Sequence, residues 1–380
     1  MDGAPVPVDP PAIWAEVSSS PVALSVAPGD PLERDALARC GTGDEGLRAA
    51  ADDVVFRSLR GMPLPDADAL AFAQRAAGEP HPWARAWAAS AKSLSPDATL
   101  RKLDEWLAED RAPRLRRCAV ASGTAPDGTR ALAVVTVEAL ADLAPLPTRA
   151  RTGQWLTVGA RLRVPASAGA VLVLGPGGAP RRVPAWFDGE TLRARFALDR
   201  PGEFTVQVLA TTATGPRPVL DAAVFADAAP PARASGDAAP GEEVALAPRD
   251  GGHDSESLAL ASMLAAARAE SGEPPLARDA RLDAIALEHA RSMATAHALA
   301  HDAGDGDPGA RMQAAGLSWQ ALGENVAHGA TLTLAHRALW ASPSHRANML
   351  KRDFEDVGVA AVRDERGDVW VVETFASGLR

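Results

Sequence analysis

Apolar residues near the N-terminus recur every three or four positions in four segments, and Gly- and Pro-containing breaks separate these segments. They are residues 46–60, 66–77, 82–92 and 100–109. Trp83, Trp87 and Trp106 lie on the apolar faces, so we expect them to pack in a core rather than bind a ligand. The Asp-Gly turn at residues 127–128 and its β-rich flanks predict a hairpin. Residues 1–150 are therefore predicted to be mainly helical with one β-hairpin.

The pattern changes to short alternating runs between about residues 153 and 225. These runs are residues 155–158, 170–174, 191–197 and 204–210. Gly and Pro turns separate them at the spacing of a small β-sandwich, which we place at residues 151–226. Residues 227–254 are rich in Ala, Pro, Gly and acid, so they predict a linker.

Helical spacing returns in the last third of the chain, after the linker. The predicted helices are residues 257–270, 279–293, 310–315 and 332–341. Asp279 is a good N-cap for the second helix. Residues 342–350 predict a loop and turn, and residues 357–362 and 368–375 predict a β-hairpin. This order predicts an α/β/α sandwich at residues 255–380, within a multidomain α+β protein.

Composition and charge limit the possible partners of this chain. The 380 residues carry a net charge of −10 and contain no basic stripe, which argues against nucleic acid. No apolar run is long enough to span a bilayer. The first residues lack the basic and apolar stretches of a signal peptide, so we expect either no export or removal of a signal or lipoprotein anchor. Cys40 and Cys118 form one disulfide or remain as two buried thiols.

Histidine is concentrated in the last third, which holds six of the eight copies. Histidine is the side chain most often used for metal ligation and proton transfer near neutral pH, so this enrichment points to a site. His301 stands in a short segment before an acidic, Gly-rich loop, and His345 stands in a Ser-Pro-Ser-His-Arg motif. The other copies, among them His289, His328 and His336, have no motif around them, and we expect structural roles for them.

Several motifs in the last third, taken in order, resemble one known family. They are the 282–293 helix, His301, Gly323-Glu-Asn325, the motif from Trp340 to Leu350, and Val357-Gly-Val359. Together they are similar to the bacterial, SCP-like branch of the CAP superfamily, which includes cysteine-rich secretory proteins, insect venom antigens and plant pathogenesis-related proteins. The resemblance covers about a third of the chain. It implies an α/β/α sandwich with a surface cavity lined by two histidines and usually two acidic residues.

The resemblance also implies which residues line the cavity. His301 and His345 correspond to the two cavity histidines, and Glu324 corresponds to the glutamate of the Gly-Glu-Asn motif. Ser342 stands where many animal members carry the second acid, and Asn325 follows Glu324. Two imidazoles and a carboxylate are suitable ligands for Zn²⁺ or another divalent cation. Alternatively, His301, His345 and Glu324 hydrogen-bond one another and hold the loops together.

Two classes of function remain open at this point. The first is a binding module of the cell envelope or the extracellular space, whose ligand is a divalent cation, a lipid, an envelope component or a protein. The second is a hydrolase, either of the serine type with Ser342 or Ser344 near His345, or metal-dependent with Glu324 as base. The chain has no Gly-x-Ser-x-Gly or His-Glu-x-x-His signature, which favours the binding module.

The N-terminal region raises a further hypothesis. Its helices, followed by a hairpin that begins Cys118-Ala-Val-Ala, parallel the end of the chain, where Val357-Gly-Val-Ala begins a similar hairpin. Residues 1–150 are therefore either a degenerate CAP-like copy without the site residues or a chance likeness. The order of the strands in the two sheets distinguishes these alternatives.

Overall fold

The computed structural model describes residues 12–20, 30–108, 113–213, 215–234, 239–242 and 253–380. The described residues contain both helices and strands, which confirms the predicted α+β class. No helix within these ranges is long and apolar enough to cross a membrane. Half of the predicted linker, residues 235–238 and 243–252, lies outside the described residues, but residues 239–242 are packed, because Glu242 forms an ion pair with Arg337 at 2.7 Å.

The N-terminal part is a four-stranded sheet between two layers of helices. Its helices are α1 (Pro31–Cys40), α2 (Arg48–Leu59), α3 (Ala67–Ala76) and α4 (Pro96–Leu107). A short strand β1 (Val17–Ser18) precedes the strands of the sheet, which are β2 (Thr42–Gly43), β3 (Arg85–Ala91), β4 (Arg116–Thr124) and β5 (Arg130–Glu138). Buried side chains of α1 and α4 cover one face, and those of α2 and α3 cover the other. Cys40 and Cys118 form a disulfide within the first of these layers.

Two predictions for this part are wrong. Residues 82–92 do not form a helix, because residues 85–91 pair antiparallel with β5, whose interior is fully buried. This long-range pairing overrides the helical preference of an alanine-rich segment. Trp83 is not a core residue either, since it is 44% exposed and has a φ of 66°. Trp87 and Trp106 do pack partly buried against the core, as expected.

The middle part is the predicted β-sandwich. Its strands are β6 (Ala141–Leu143), β7 (Leu146–Pro147), β8 (Arg149–Ala150), β9 (Trp155–Leu162), β10 (Ala168–Leu174), β11 (Arg181–Val183), β12 (Ala185–Asp188), β13 (Thr191–Ala197), β14 (Gly202–Thr212) and β15 (Gly215–Ala226). One sheet has the order β11-β10-β14-β15-β8 and the other has the order β12-β13-β9-β6. Apolar side chains from both sheets form one core between them.

The C-terminal part is again a sheet between helices. The helices are α5 (His253–Glu270), α6 (Ala280–Ala296), α7 (Pro308–Ala314), α8 (Leu332–Ala341) and α9 (Pro343–Met349). The strands are β16 (Ala277–Arg278), β17 (Ala321–Gly329), β18 (Asp356–Arg363) and β19 (Val369–Ser377). Asp279 caps α6 as predicted. The loop predicted for residues 342–350 is wrong, because Pro343 begins a helix in its first position, where a proline loses no hydrogen bond.

The N-terminal and C-terminal sheets have the same topology. Their orders are β2-β4-β5-β3 and β16-β18-β19-β17. Counted along the chain, the first strand of each sheet pairs parallel with the third strand. The second and third strands each pair antiparallel with the fourth strand. The register also agrees. Cys118 and Val357 each pair with the last residue of the short parallel strand on one side. On the other side Cys118 pairs with Thr136, and Val357 pairs with Phe375. The strand order is the one that a degenerate second copy requires.

Candidate functional site

Glu324 lies near the start of β17, an edge strand of the C-terminal sheet. The preceding Gly323 is required by close packing, since a Cβ there would lie 2.7 Å from the ring of Phe354. Glu324 is 6% exposed, so its carboxylate needs partners. The edge position leaves this end of β17 open to residues from the loop before α7 and from α9.

Both carboxylate oxygens of Glu324 are occupied. Oε1 lies 2.8 Å from Nδ1 of His301 and 3.7 Å from Nε2 of His289, while Oε2 accepts a hydrogen bond from Arg311. With Nδ1 donating to the carboxylate, Nε2 of His301 carries the free lone pair. The carboxylate therefore fixes both the orientation and the tautomer of His301.

Arg311 and His289 hold the loop that carries His301. Arg311, buried on α7, also donates to the carbonyl oxygens of His301, at 2.9 Å, and of Gly306. His289 on α6 contacts Asp305 at 2.8 Å and the carbonyl oxygen of Ala300 at 3.0 Å. Burial acts to raise the pKa of Asp305, but the contacts with His289 and Arg311 outweigh it and lower that pKa. This loop is thus fixed by buried charges rather than by apolar packing.

His345 lies in the first turn of α9 and is 7% exposed. Burial, and to a smaller extent the neighbouring His301, lowers the pKa of His345 to about 3, so the imidazole is neutral at physiological pH. Among the described residues, none hydrogen-bonds to its buried Nδ1. The ring of Trp83, from the N-terminal part, lies 6.4 Å away. His345 thus lies close enough to His301 to interact with it electrostatically.

Asn325 supports the site rather than facing it. Its amide nitrogen donates to the carbonyl oxygen of His345 at 3.0 Å and to Oε2 of Glu373 at 2.9 Å, and its oxygen accepts from Asn348. Asn348 also donates to the carbonyl oxygen of Glu324. These bonds join α9 to β17 and β19, which fixes the spacing between His345 and Glu324. Glu373 is fully buried, and burial raises its pKa to about 7.

Ser342 and Ser344 do not form a nucleophile pair with His345. Their hydroxyls lie 3.2 Å apart, and the Ser342 hydroxyl accepts a hydrogen bond from Gln207 of the β-sandwich. Within the described part of the chain, no hydrogen bond joins either hydroxyl to the His345 ring. The serine-hydrolase hypothesis therefore lacks its first geometric requirement, a hydroxyl within reach of a base.

The described residues contain one cluster of three potential metal ligands whose donor atoms all lie within 4.8 Å of one another. It consists of His328, Asp364 and Asp368, at the hairpin turn between β18 and β19. Asp364 is already engaged there by the Trp370 indole and by backbone N–H groups of the turn. The predicted ligands His301, Glu324 and His345 do not form such a compact trio. They provide two imidazoles, with Glu324 bound to one of them.

Sequence reasoning missed several residues that build this site. Arg311 lies on a predicted helix, and nothing in its spacing marks it as the partner of Glu324. His289 had no motif context, and its contact with Asp305 depends on how the loop folds back over α6. Gln207 and Trp83 come from parts of the chain far from the motifs, so no local signal identifies them.

Comparison with known proteins places the C-terminal part in a family. The model of the cysteine-rich secretory protein (CAP) family matches residues 261–375. No curated protein matches the chain. Among solved structures, an outer surface protein from Borrelia burgdorferi is 22% identical, with a TM-score of 0.30, and the match covers 32% of this chain and 92% of that one.

Two further solved structures extend over more of the chain. An extracellular protein containing an SCP domain from Bacillus anthracis is 14% identical, with a TM-score of 0.31, and covers 63% of this chain and 86% of its own. A cysteine-rich secretory protein from Staphylococcus aureus is 11% identical, with a TM-score of 0.29, over 63% and 80%. TM-scores of this size carry no argument, so the assignment rests on the family model. Residues 261–375 form a domain of the cysteine-rich secretory protein (CAP) family.

Proposed function

We propose that residues 255–380 are a binding domain that holds a divalent cation through His301 and His345, in a secreted or envelope-attached protein. One observation carries the proposal. The Glu324 carboxylate orients the His301 ring, and His345 is neutral with a buried Nδ1 that has no hydrogen-bond partner among the described residues. Neutral imidazole is the form that binds metal, so His345 does not have to lose a proton first.

The residues present fit a metal such as Zn²⁺ in a particular way. Glu324 acts as the carboxylate behind His301, because a histidine that ligates metal usually donates its other nitrogen to an acid. Arg311 balances the charge of that carboxylate and holds it in place. His301 and His345 then supply two ligands, and water or a partner supplies the rest. A bound cation would act there as a Lewis acid.

The location outside the cytoplasm has separate support. The Cys40–Cys118 disulfide is of the kind that persists in an oxidising compartment. We therefore extend the proposal to export, with the N-terminal part (1–150), the β-sandwich (151–226) and the linker (227–254) preceding the binding domain.

Calorimetry with Zn²⁺ on the full chain tests this function. We expect His301→Ala combined with His345→Ala to abolish binding, because both imidazole ligands are removed. His328→Ala is the matched control, since it removes the histidine of the other cluster and should leave binding unchanged. Zn²⁺ binding that survives the double variant and disappears in His328→Ala would refute the proposed site.

A further inference from the structure

The β-sandwich reaches the CAP site through Gln207 on β14, a side chain that is 1% exposed. Its amide nitrogen donates to the Ser342 hydroxyl at 3.3 Å, and its oxygen accepts from the backbone N–H of Ser344 at 2.8 Å. Ser342 is the N-cap of α9, the helix that carries His345. One buried amide therefore joins the sandwich to the start of this helix, beside the site.

Gln207 is itself held firmly. It pairs across the sheet with Asp221 on β15 and also hydrogen-bonds to that carboxyl group. The backbone N–H of Asp221 donates to the carbonyl oxygen of Pro80, in the N-terminal part, at 2.7 Å. The contact on α9 is thus the end of a buried polar chain that passes through all three parts of the molecule.

A second contact of the sandwich lies directly on His301. A Cβ at Gly215, the first residue of β15, would lie 3.2 Å from the Cβ of His301 and 3.4 Å from its ring. Gly215 has a φ of 103°, a conformation that other residues rarely adopt. Absence of a side chain therefore allows the β15 backbone to pack against the histidine.

The N-terminal part supplies the third contact. Trp83 lies beside His345 and keeps a left-handed backbone conformation that is unfavourable for tryptophan. Such strain persists only where the surroundings impose it. Beside these contacts the side chain of His301 is only 17% exposed and His345 is only 7% exposed.

We propose that the β-sandwich closes the CAP site to molecules larger than an ion, and that Gln207 is the positioning residue that holds it closed. A closed site admits a cation but excludes a lipid or a peptide. The identity of the ligand as a cation therefore rests on the proposed function. The closure itself rests only on the three contacts. Residues outside the CAP domain thus determine which ligands reach its histidines.

Diethyl pyrocarbonate tests the closure, because it modifies neutral, accessible imidazoles and its size exceeds that of an ion. The rate of modification of each histidine in the full chain is followed by mass spectrometry of peptides. His297 is exposed and serves as the open standard, and His289 is fully buried inside the domain. We expect His301 and His345 to react at least about tenfold more slowly than His297. Equal rates in the unaltered protein would overturn the closure.

Variants at Gln207 test its role. Gln207→Ala removes both hydrogen bonds to the start of α9, as well as the one to Asp221, so we expect His301 and His345 to react about five- to tenfold faster, with His289 unchanged. Gln313→Ala, an exposed glutamine on α7, is the control and should change nothing. If His289 also reacts faster, the domain has loosened, and Gln207→Met, which keeps the volume, replaces the alanine variant. Unchanged rates at His301 and His345 in a folded variant would exclude Gln207 as the holding residue. Zn²⁺ calorimetry on the same proteins reports the proposed function separately.

Discussion

Glu373 offers a direct test of how burial determines the stability of the CAP domain. The carboxyl group is fully buried on β19, receives one hydrogen bond from Asn325, and has no partner for Oε1 within the described chain. Burial raises its pKa from 4.5 to about 7. Glu373→Gln replaces the group with a neutral amide of the same shape, which can still accept from Asn325.

The sign and size of the effect follow from proton linkage. Between pH 4.5 and 7 the folded domain keeps a proton that the unfolded chain has released, so stability falls as pH rises through this window. Because one pKa unit corresponds to about 1.4 kcal/mol, the fold loses about 3 kcal/mol by pH 8. Glu373→Gln removes this loss. We therefore expect the variant to be about 3 kcal/mol more stable than the unaltered protein at pH 8, and nearly equal to it at pH 4.5.

Hydrogen exchange in β18 and β19, followed by mass spectrometry at several pH values, measures the stability of this domain within the full chain. The lowered pKa of His345 also makes stability fall as pH drops below 6.5, but this contribution is common to both proteins and cancels in their difference. Glu365→Gln, exposed in the hairpin turn, is the control and should follow the unaltered protein. A difference that does not grow between pH 5 and pH 8 would refute the reasoning.

Two further substitutions test the supports of the two sheets. Arg311→Met leaves the Glu324 carboxylate buried with His301 as its main partner, so hydrogen exchange in β17 should report a loss of stability of about 3–5 kcal/mol. Arg291→Met removes an exposed ion pair and should cause almost no loss of stability. Equal effects of the two would contradict this assignment. Cys118→Ser opens a disulfide that spans 78 residues, and exchange in β4 and β5 should show a loss of about 2–5 kcal/mol with Zn²⁺ binding unchanged. Reductant should destabilise the unaltered protein and leave the variant as it is; a variant that responds equally would contradict the prediction.

Local chemistry explains the predictions that were confirmed. The Asp279 cap and the helix Leu332–Ala341 follow from side chains that bond their own backbone or alternate on one face. The start of α9 was also readable from Ser342 and Pro343, which are common residues at the N-cap and first helical positions.

Predictions failed where distant residues decide the structure. The alternation that makes Arg85–Ala91 a strand is weak, and the pairing with β5 decides it. The site shows the same division. His301, Glu324 and His345 are predicted from the resemblance of their motifs to the CAP family, but the pairing of Glu324 with Arg311 depends on the three-dimensional fold. Gln207 reaches α9 only because the sandwich packs there, and no period or spacing in the sequence records that packing.

The shared register of the two sheets explains why the N-terminal sheet has no equivalent of the Glu324–His301 pair. Thr129 and Asp368 close the equivalent hairpin turns of the two sheets. Ala86 pairs with Val135, six residues after Thr129, and Glu324 pairs with Thr374, six residues after Asp368. Ala86 therefore occupies the position of Glu324. An alanine has no carboxylate to orient a histidine, so the N-terminal sheet cannot reproduce the arrangement. That sheet instead places Trp83, two residues before its edge strand, against His345 of the other domain. The N-terminal part, which lacks an equivalent of Glu324, thus contributes a side chain beside His345.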